Sequence, residues 1–341
     1  MGFATLYPSY KNKQENTDMR TVTLEEHFTT PKFLEGPGRK RKEHAEKAGG
    51  RLAKVFAQLA DVGPGRLAEM DAAGIDMQVL SLTSPGAEQS DAAEAIALAT
   101  EANDFLAAVV KGNPQRYAGL AVLPTAAPDK AAAELELRVR QQKFVGAVIH
   151  GHNRGRYFDN KFFWPILEAA EKLNAPIYLH PTPPPQGVID ISYGGFAPAV
   201  TDMFAASGWG WHIETAVHIV RLVLGGVFDQ FPKLQFVIGH LGEALPFMLP
   251  RLDSMTTAVT KLKQPVSFYL RNNVHYTISG FNFPAAFLDL LLEVGVDRIM
   301  FSADHPYASM TAARAFLEQI PVSAADRERI AHGNAEMLFG L

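Results

Sequence analysis

The chain reads as a (β/α)8 barrel of the TIM type, and three observations carry that reading. Eight short apolar or β-branched stretches recur along 341 residues, nearly all separated by a helical stretch. No glycine-rich phosphate loop follows the first of them, as an open dinucleotide-binding sheet would require. Residues able to hold a metal stand at the ends of several of these stretches, and in a closed barrel the active site forms where the strands end.

The first strand pattern runs from Thr21 to Phe28, β-branched and apolar at its start, and passes into Thr29-Thr30-Pro31. Residues 1–20 read as an N-terminal extension, with no apolar stretch like that of a signal peptide, and residues 21–341 as a single (β/α)8 domain. The basic stretch 35–50 reads as a solvated loop or helix, or as a lid over the end of the first strand. A helix stopping at Gly74 leads into strand Met77 to Leu82. Helices expected over 88–112, 128–142 and 161–173 then precede strands at 117–123, 145–150 and 176–180. Residues 187–206, rich in Gly, Pro and aromatics, read as an inserted loop with short helical pieces. Helix 211–229 precedes strand 234–240, helix 243–262 precedes 274–279, and helix 284–294 precedes 298–304. Two helices near 309–319 and 323–338 close the chain.

Composition narrows the function. A formal net charge of −4 supplies no field for nucleic acid or an anionic membrane, and no apolar run is long enough to span a bilayer. The expected partners are small molecules or copies of the same chain, and the expected location is the cytoplasm. With no cysteine, any metal must be held by nitrogen and oxygen, which makes the 11 histidines the residues to follow.

Glu25 and His27 stand two apart on the first strand, so their side chains share a side and can converge on one ion. One such pair carries little weight. His180 after the fifth strand, His240 after the sixth and Asp304 after the eighth fall at the same end of the barrel, and the coincidence is what favours a metal centre. Carboxylate and imidazole ligands suit a divalent ion such as Zn2+ or Mn2+, with a position left open for water or substrate. His150 and His152 end the fourth strand and compete for a ligand role, although the polar loop after them favours a place behind the metal or facing substrate. His212, His218, His275 and His332 read as helix or core histidines, and His305 as a rim residue beside Asp304.

The segments LEEHF, IYLHPTPPP, WHIETAVHIVRLVLGGVFDQFPKLQFVIGHLGEALPFMLPRLD and IMFSADHPY, in this order, resemble the metal-dependent aromatic acid decarboxylases of the amidohydrolase superfamily. Within it the chain looks like the γ-resorcylate, 2,3-dihydroxybenzoate and 5-carboxyvanillate decarboxylases. The resemblance implies Glu25, His27, His180 and Asp304 as metal ligands, His240 as the active-site histidine with Glu243 beside it, and Asp304 as the acid that protonates the ring. It further implies Arg251 and Tyr307 as substrate contacts, with Arg251 reaching across an interface of a homodimer or homotetramer. Many hydrolases of the superfamily carry His-x-His on the first strand; Glu25-x-His27 points to the decarboxylase branch. Thr83, Phe204, Trp209 and Trp211 stand where they could line a pocket, and Arg221 is a weaker substrate candidate.

The expected function is thus non-oxidative decarboxylation of a hydroxylated benzoic acid. The alternative keeps the metal but has it activate water, with Asp304 as general base, to hydrolyse a lactone, ester or amide. A non-catalytic barrel would have lost its ligands, and here each ligand position is filled.

Overall fold

A computed structural model describes residues 19–341. Its eight parallel strands lie in chain order: β1 (Val22–Phe28), β2 (Met77–Leu82), β3 (Tyr117–Val122), β4 (Gly146–His150), β5 (Ile177–His180), β6 (Phe236–Ile238), β7 (Val274–Thr277) and β8 (Ile299–Met300). The ring closes by a parallel bridge between Leu24 and Ser302, where the Ser302 hydroxyl donates to the Leu24 carbonyl. His27 N also donates to His305 O at 2.8 Å.

All residues of the eight strands are buried, as expected of a parallel sheet covered on both faces. Alternate residues divide the core. Val22, Leu24, Val79, Leu120, Val148, Tyr178, Val237 and Met300 point inward and fill the barrel, and Phe339 of the last helix plugs its lower end. The other face packs against the surrounding helices through residues such as Phe28, Leu80, Ile149, Ile177 and Phe236.

Where elements differ from the sequence reading, the cause is local. The helix expected from residue 88 begins at Ala92, because the Asp91 side chain accepts from Glu94 N. The helix expected over 211–229 breaks into Gly210–Leu224 and Val227–Gln230 around Gly226, whose φ is 71°. In place of one helix over 243–262 there are Leu245–Leu252 and Thr257–Thr260, and a further helix, Val266–Asn272, precedes β7. The basic stretch folds as helix Arg39–Ala48, followed by Gly50–Ala60. β8 has only two residues, so Asp304 lies four positions past its end. The N-terminal extension falls outside the described residues except for Met19 and Arg20, whose guanidinium pairs with Glu336 at 2.7 Å. Among the described residues no helix is long and apolar enough to cross a membrane.

Two core histidines away from the barrel mouth make stability depend on pH. Phe158 N donates to His218 Nε2 at 3.0 Å, and Arg298 donates to His275 Nε2 at 2.9 Å, so each folded imidazole is neutral. Burial, reinforced by nearby cationic groups, lowers both to about 3 from the ordinary 6.5 of a histidine. Below about 6.5 the unfolded chain takes up protons that the folded one refuses. Each group therefore removes up to about 1.4 kcal/mol of stability per pH unit as pH falls from that point toward 3. The denaturant midpoint should drop between pH 7 and pH 5, and His218→Asn should shrink the drop; equal midpoints at the two pH values would contradict the assignment.

Candidate metal centre and active site

The mouth of the barrel is built around an irregular first strand. The β1–β2 register shifts between Thr23 and Glu26, and Glu25 sits at φ 61°, a left-handed conformation uncommon outside glycine. The Tyr178 phenol donates to Glu25 Oε2 and is itself held by Thr277 Oγ1 at 2.8 Å. Glu25 Oε1 has no hydrogen-bond partner and lies 3.5 Å from His180 Nε2. Gly239, just before His240, must lack a side chain, since a Cβ there would stand 2.4 Å from Glu25 Oε2.

His180 donates from Nδ1 to Pro181 O at 2.8 Å, which leaves Nε2 as a free lone pair facing Glu25. His27 has Nδ1 3.3 Å from Ser81 Oγ, and its Nε2 is buried without a hydrogen-bond partner, 3.4 Å from Asp304 Oδ1. One donor atom from each of Glu25, His27 and His180 falls within 4.8 Å of the others. Separations near 3.5 Å are too long for hydrogen bonds, but bonds of about 2.0–2.2 Å to a shared ion place neighbouring ligand atoms at about that spacing. Burial lowers His27 to about 3 and, with neighbouring imidazoles, holds His180 well below its ordinary range, so both are in the neutral form a metal needs. Burial pushes Glu25 upward. The unpartnered oxygen and nitrogen atoms and the neutral imidazoles fit a divalent ion. Asp304, also left-handed at φ 61°, stands beside this trio on the cavity wall.

A second chain of groups runs behind the first. His240 Nδ1 donates to Glu243 Oε1 at 2.7 Å, and His212 Nδ1 to Glu243 Oε2 at 2.5 Å. Burial opposes a charged His240, but the carboxylates of Glu243 and Glu25 outweigh it and raise the imidazole to about 10. Burial also works against a charged Glu243, and the two histidines overcome it and hold the carboxyl below the usual range. Asp304 is pushed up to about 7, chiefly by burial, against the pull of His240 and His212. Glu26 turns away from the cavity: burial raises it to about 8, while the N–H groups of Ala303 and His305 favour its charged form.

The cavity above these groups has a volume of about 440 Å³, inside the range of small-molecule sites. Arg41, Trp211, Phe281 and Tyr307 line it together with His180, His212, His240 and Asp304. Arg41 donates to Ser84 O at 2.6 Å and lies 5.9 Å from the Tyr307 ring centroid; Tyr307 shares a 2.6 Å hydrogen bond with Thr83. A larger cavity of about 740 Å³ opens on residues that precede β5, β6 and β8, such as Pro176, Leu234 and Arg298, and none of the candidate metal ligands lines it.

Several expectations shift. Arg251 is exposed on helix Leu245–Leu252 and does not line the cavity of the single chain. Phe204 packs on Tyr193 and Phe196, and Trp209 is 51% exposed; Trp211 is the aromatic of that segment that lines the cavity. Arg221 pairs with Asp159 at 2.8 Å and faces the Tyr157 ring, so it serves packing. Glu243 is buried behind His240 and does not line the cavity. His212, expected in a helix or the core, lines the cavity. It lies in the first turn of helix Gly210–Leu224, where its Nδ1 reaches Glu243. His152 is satisfied by Gly155 N and Pro183 O, whereas His150 is fully buried with Nδ1 3.5 Å from Glu88 and its ring 4.9 Å from that of His180. Tyr178 and Arg41 escape the sequence reading. The basic run 39–42, after the strand that carries Glu25, is the available signal for Arg41; an apolar-looking strand hides Tyr178.

In the metal-free protein, Glu243→Gln should move the His240 titration to lower pH, since the strongest attraction holding its proton is lost. The shift is read by NMR of the imidazole; an unchanged midpoint would remove Glu243 from this role.

The chain is similar to known proteins over nearly its whole length. The sequence profile of the amidohydrolase family matches residues 55–341. The γ-resorcylate decarboxylase of Polaromonas sp. strain JS666 is 35% identical over 336 residues, 94% of this chain and 98% of that one. The structure of 5-carboxyvanillate decarboxylase from Novosphingobium aromaticivorans, complexed with manganese and 4-hydroxy-3-methoxy-5-nitrobenzoic acid, superposes with a TM-score of 0.87 at 32% identity, covering 94% of this chain and 96% of that one. That of dihydroxybenzoic acid decarboxylase from Polaromonas sp. JS666, with manganese and 2-nitroresorcinol, gives 0.83 at 33% identity, covering 94% and 97%. With its profile match, its near full-length relatives and its strand-end donors, the chain belongs to the amidohydrolase family.

Proposed function

We propose that this protein is a carboxy-lyase that removes CO2 from a hydroxylated benzoic acid without oxidation, using one divalent metal ion, manganese or zinc, and that Asp304 delivers the proton. The observation that carries the reading is the placement of Asp304. Its carboxyl lies on the cavity wall, 3.4 Å from His27 Nε2, where one side chain can face both the candidate ligands and a ring in the cavity; with no ion bound, burial pushes it up to about 7. That position between the ligand group and the cavity suits delivery of a proton to a ring carbon held there.

Glu25, His27, His180 and Asp304 would hold the ion, which when bound balances the charge of the substrate's carboxylate and neighbouring phenolate oxygen. Asp304 gives its proton to the ring carbon bearing the carboxylate. The bond from that carbon to the carboxylate then breaks, its electron pair restores the aromatic ring, and CO2 leaves with a phenol as the other product; Asp304 is reprotonated from solvent. His240, kept protonated by Glu243, would present Nε2–H to a substrate oxygen. Arg41 faces the cavity as the cation that attracts the acid, and Tyr307, Trp211 and Phe281 supply aromatic walls that suit a ring.

The outer surface bears on assembly. Phe247 is 78% exposed, beside Arg251 on the same helix, and the insertion exposes Ile191 at 87% and Met203 at 66%. A second copy covering exposed apolar side chains such as these supports a homodimer or homotetramer, with Arg251 available at the interface. The cytoplasm is the proposed location.

Elemental analysis should find one divalent ion per chain, and stripped protein should regain activity only when the ion is returned. Asp304→Asn should cut turnover by at least about 1000-fold with the circular dichroism unchanged. Incubation with a panel of hydroxybenzoates should release CO2; turnover of lactones or amides in place of phenolic acids would overturn the proposal.

A further inference from the structure

Glu26 sits between two candidate ligands yet faces away from the cavity, fully buried in the seam between β1 and β8. Its Oε1 accepts from Ala303 N at 2.9 Å, and its Oε2 from His305 N at 3.1 Å and from Gln78 Nε2 at 3.3 Å. Ala303 and His305 are the residues on either side of Asp304. β8 ends at Met300, so in this segment a side-chain carboxylate takes the place of a strand neighbour. The two peptide N–H groups pinned to one carboxylate fix the turn of chain that holds Asp304 at φ 61°. His27 N, donating to His305 O, ties the same segment to the next residue of β1. One strand thus presents Glu25 and His27 to the cavity and, from the residue between them, holds the backbone that carries Asp304.

We infer that Glu26 is a positioning residue for Asp304: by accepting from both flanking peptide groups it holds Asp304 in the left-handed conformation that aims its carboxyl at the ion shared with Glu25, His27 and His180. Glu26 touches neither substrate nor ion, and acts only through Asp304. Gln in its place keeps the size but turns one acceptor into an NH2 group facing a backbone N–H. The inference rests on Asp304 standing at the ion, as in the proposed function.

A double-mutant cycle read on Mn2+ affinity, by competition with a chelator, tests it without reference to turnover. Glu26→Gln should weaken Mn2+ binding by about 10–100-fold, the usual scale for groups that orient a metal's ligands. In the Asp304→Asn background the same substitution should change affinity by less than about threefold, since it has nothing left to position. Equal losses in both backgrounds, or wild-type affinity in Glu26→Gln, would overturn the inference while leaving the decarboxylase reading intact. Wild-type affinity in Asp304→Asn would overturn the inference too, by taking Asp304 away from the ion, and would leave the decarboxylase reading to the CO2 assay. Hydrogen exchange in the unmodified protein gives a measurement that needs no variant: the amides of Ala303 and His305, outside any strand, should exchange as slowly as those of β1. Exchange at the rate of the exposed loops would refute the clamp.

Discussion

The cost of burying carboxylates governs the mouth of this barrel. Glu25, Glu26 and Glu243 are almost wholly removed from solvent and Asp304 keeps 17% of its side-chain exposure, in a space where each uncompensated charge costs several kcal/mol. Each is compensated differently. Glu243 is held by two imidazoles and Glu26 by two peptide N–H groups and an amide. Glu25 has one oxygen satisfied by Tyr178 and the other open toward the imidazoles, the half-satisfied state that a cation completes. Asp304 has no such partner and stands open to the cavity. The different roles proposed for these carboxyls follow from their surroundings, since all four side chains carry the same functional group.

The backbone at the mouth is shaped to the same end. Glu25, His240, Leu241, Glu243, Ser279 and Asp304 all have φ between 45° and 61°, a conformation that costs roughly 1–2 kcal/mol for each such residue. The irregular turns lift side chains off the regular alternation of strands and point them across the opening. They persist because hydrogen bonds overdetermine them: Tyr178 on Glu25, Glu243 on His240, and Glu26 around Asp304. Gly239 is part of this arrangement, because only a residue without a side chain lets the sixth strand pass so close to Glu25.

Much of the site was legible because a parallel barrel places strand ends on one face, whatever the details of each strand. Glu25, His27, His180, His240 and Asp304 could therefore be gathered from strand patterns alone. Arg41, Tyr178, Glu26 and His212 could not. Tyr178 and Glu26 lie within strands and look like core, and what distinguishes them is a partner 153 residues away for one and 277 and 279 for the other. His212 depended on a partner 31 residues away, Glu243, that brings it to the cavity wall.

The amino-acid sequence by itself determined the alternation that makes the barrel, the nitrogen and oxygen character of any metal site, and the family, because these reside in local periodicity, in composition and in motifs. Only the tertiary structure decided which oxygen of Glu25 is free, which carboxyl opens on the cavity, and which cation overlooks it. Those properties are set by desolvation and by contacts between residues far apart in the chain, and neither exists until the barrel closes. Glu25-x-His27 needed only its strand to become a pair; to become part of a candidate metal centre it needed Tyr178, Gly239 and the seam with Asp304.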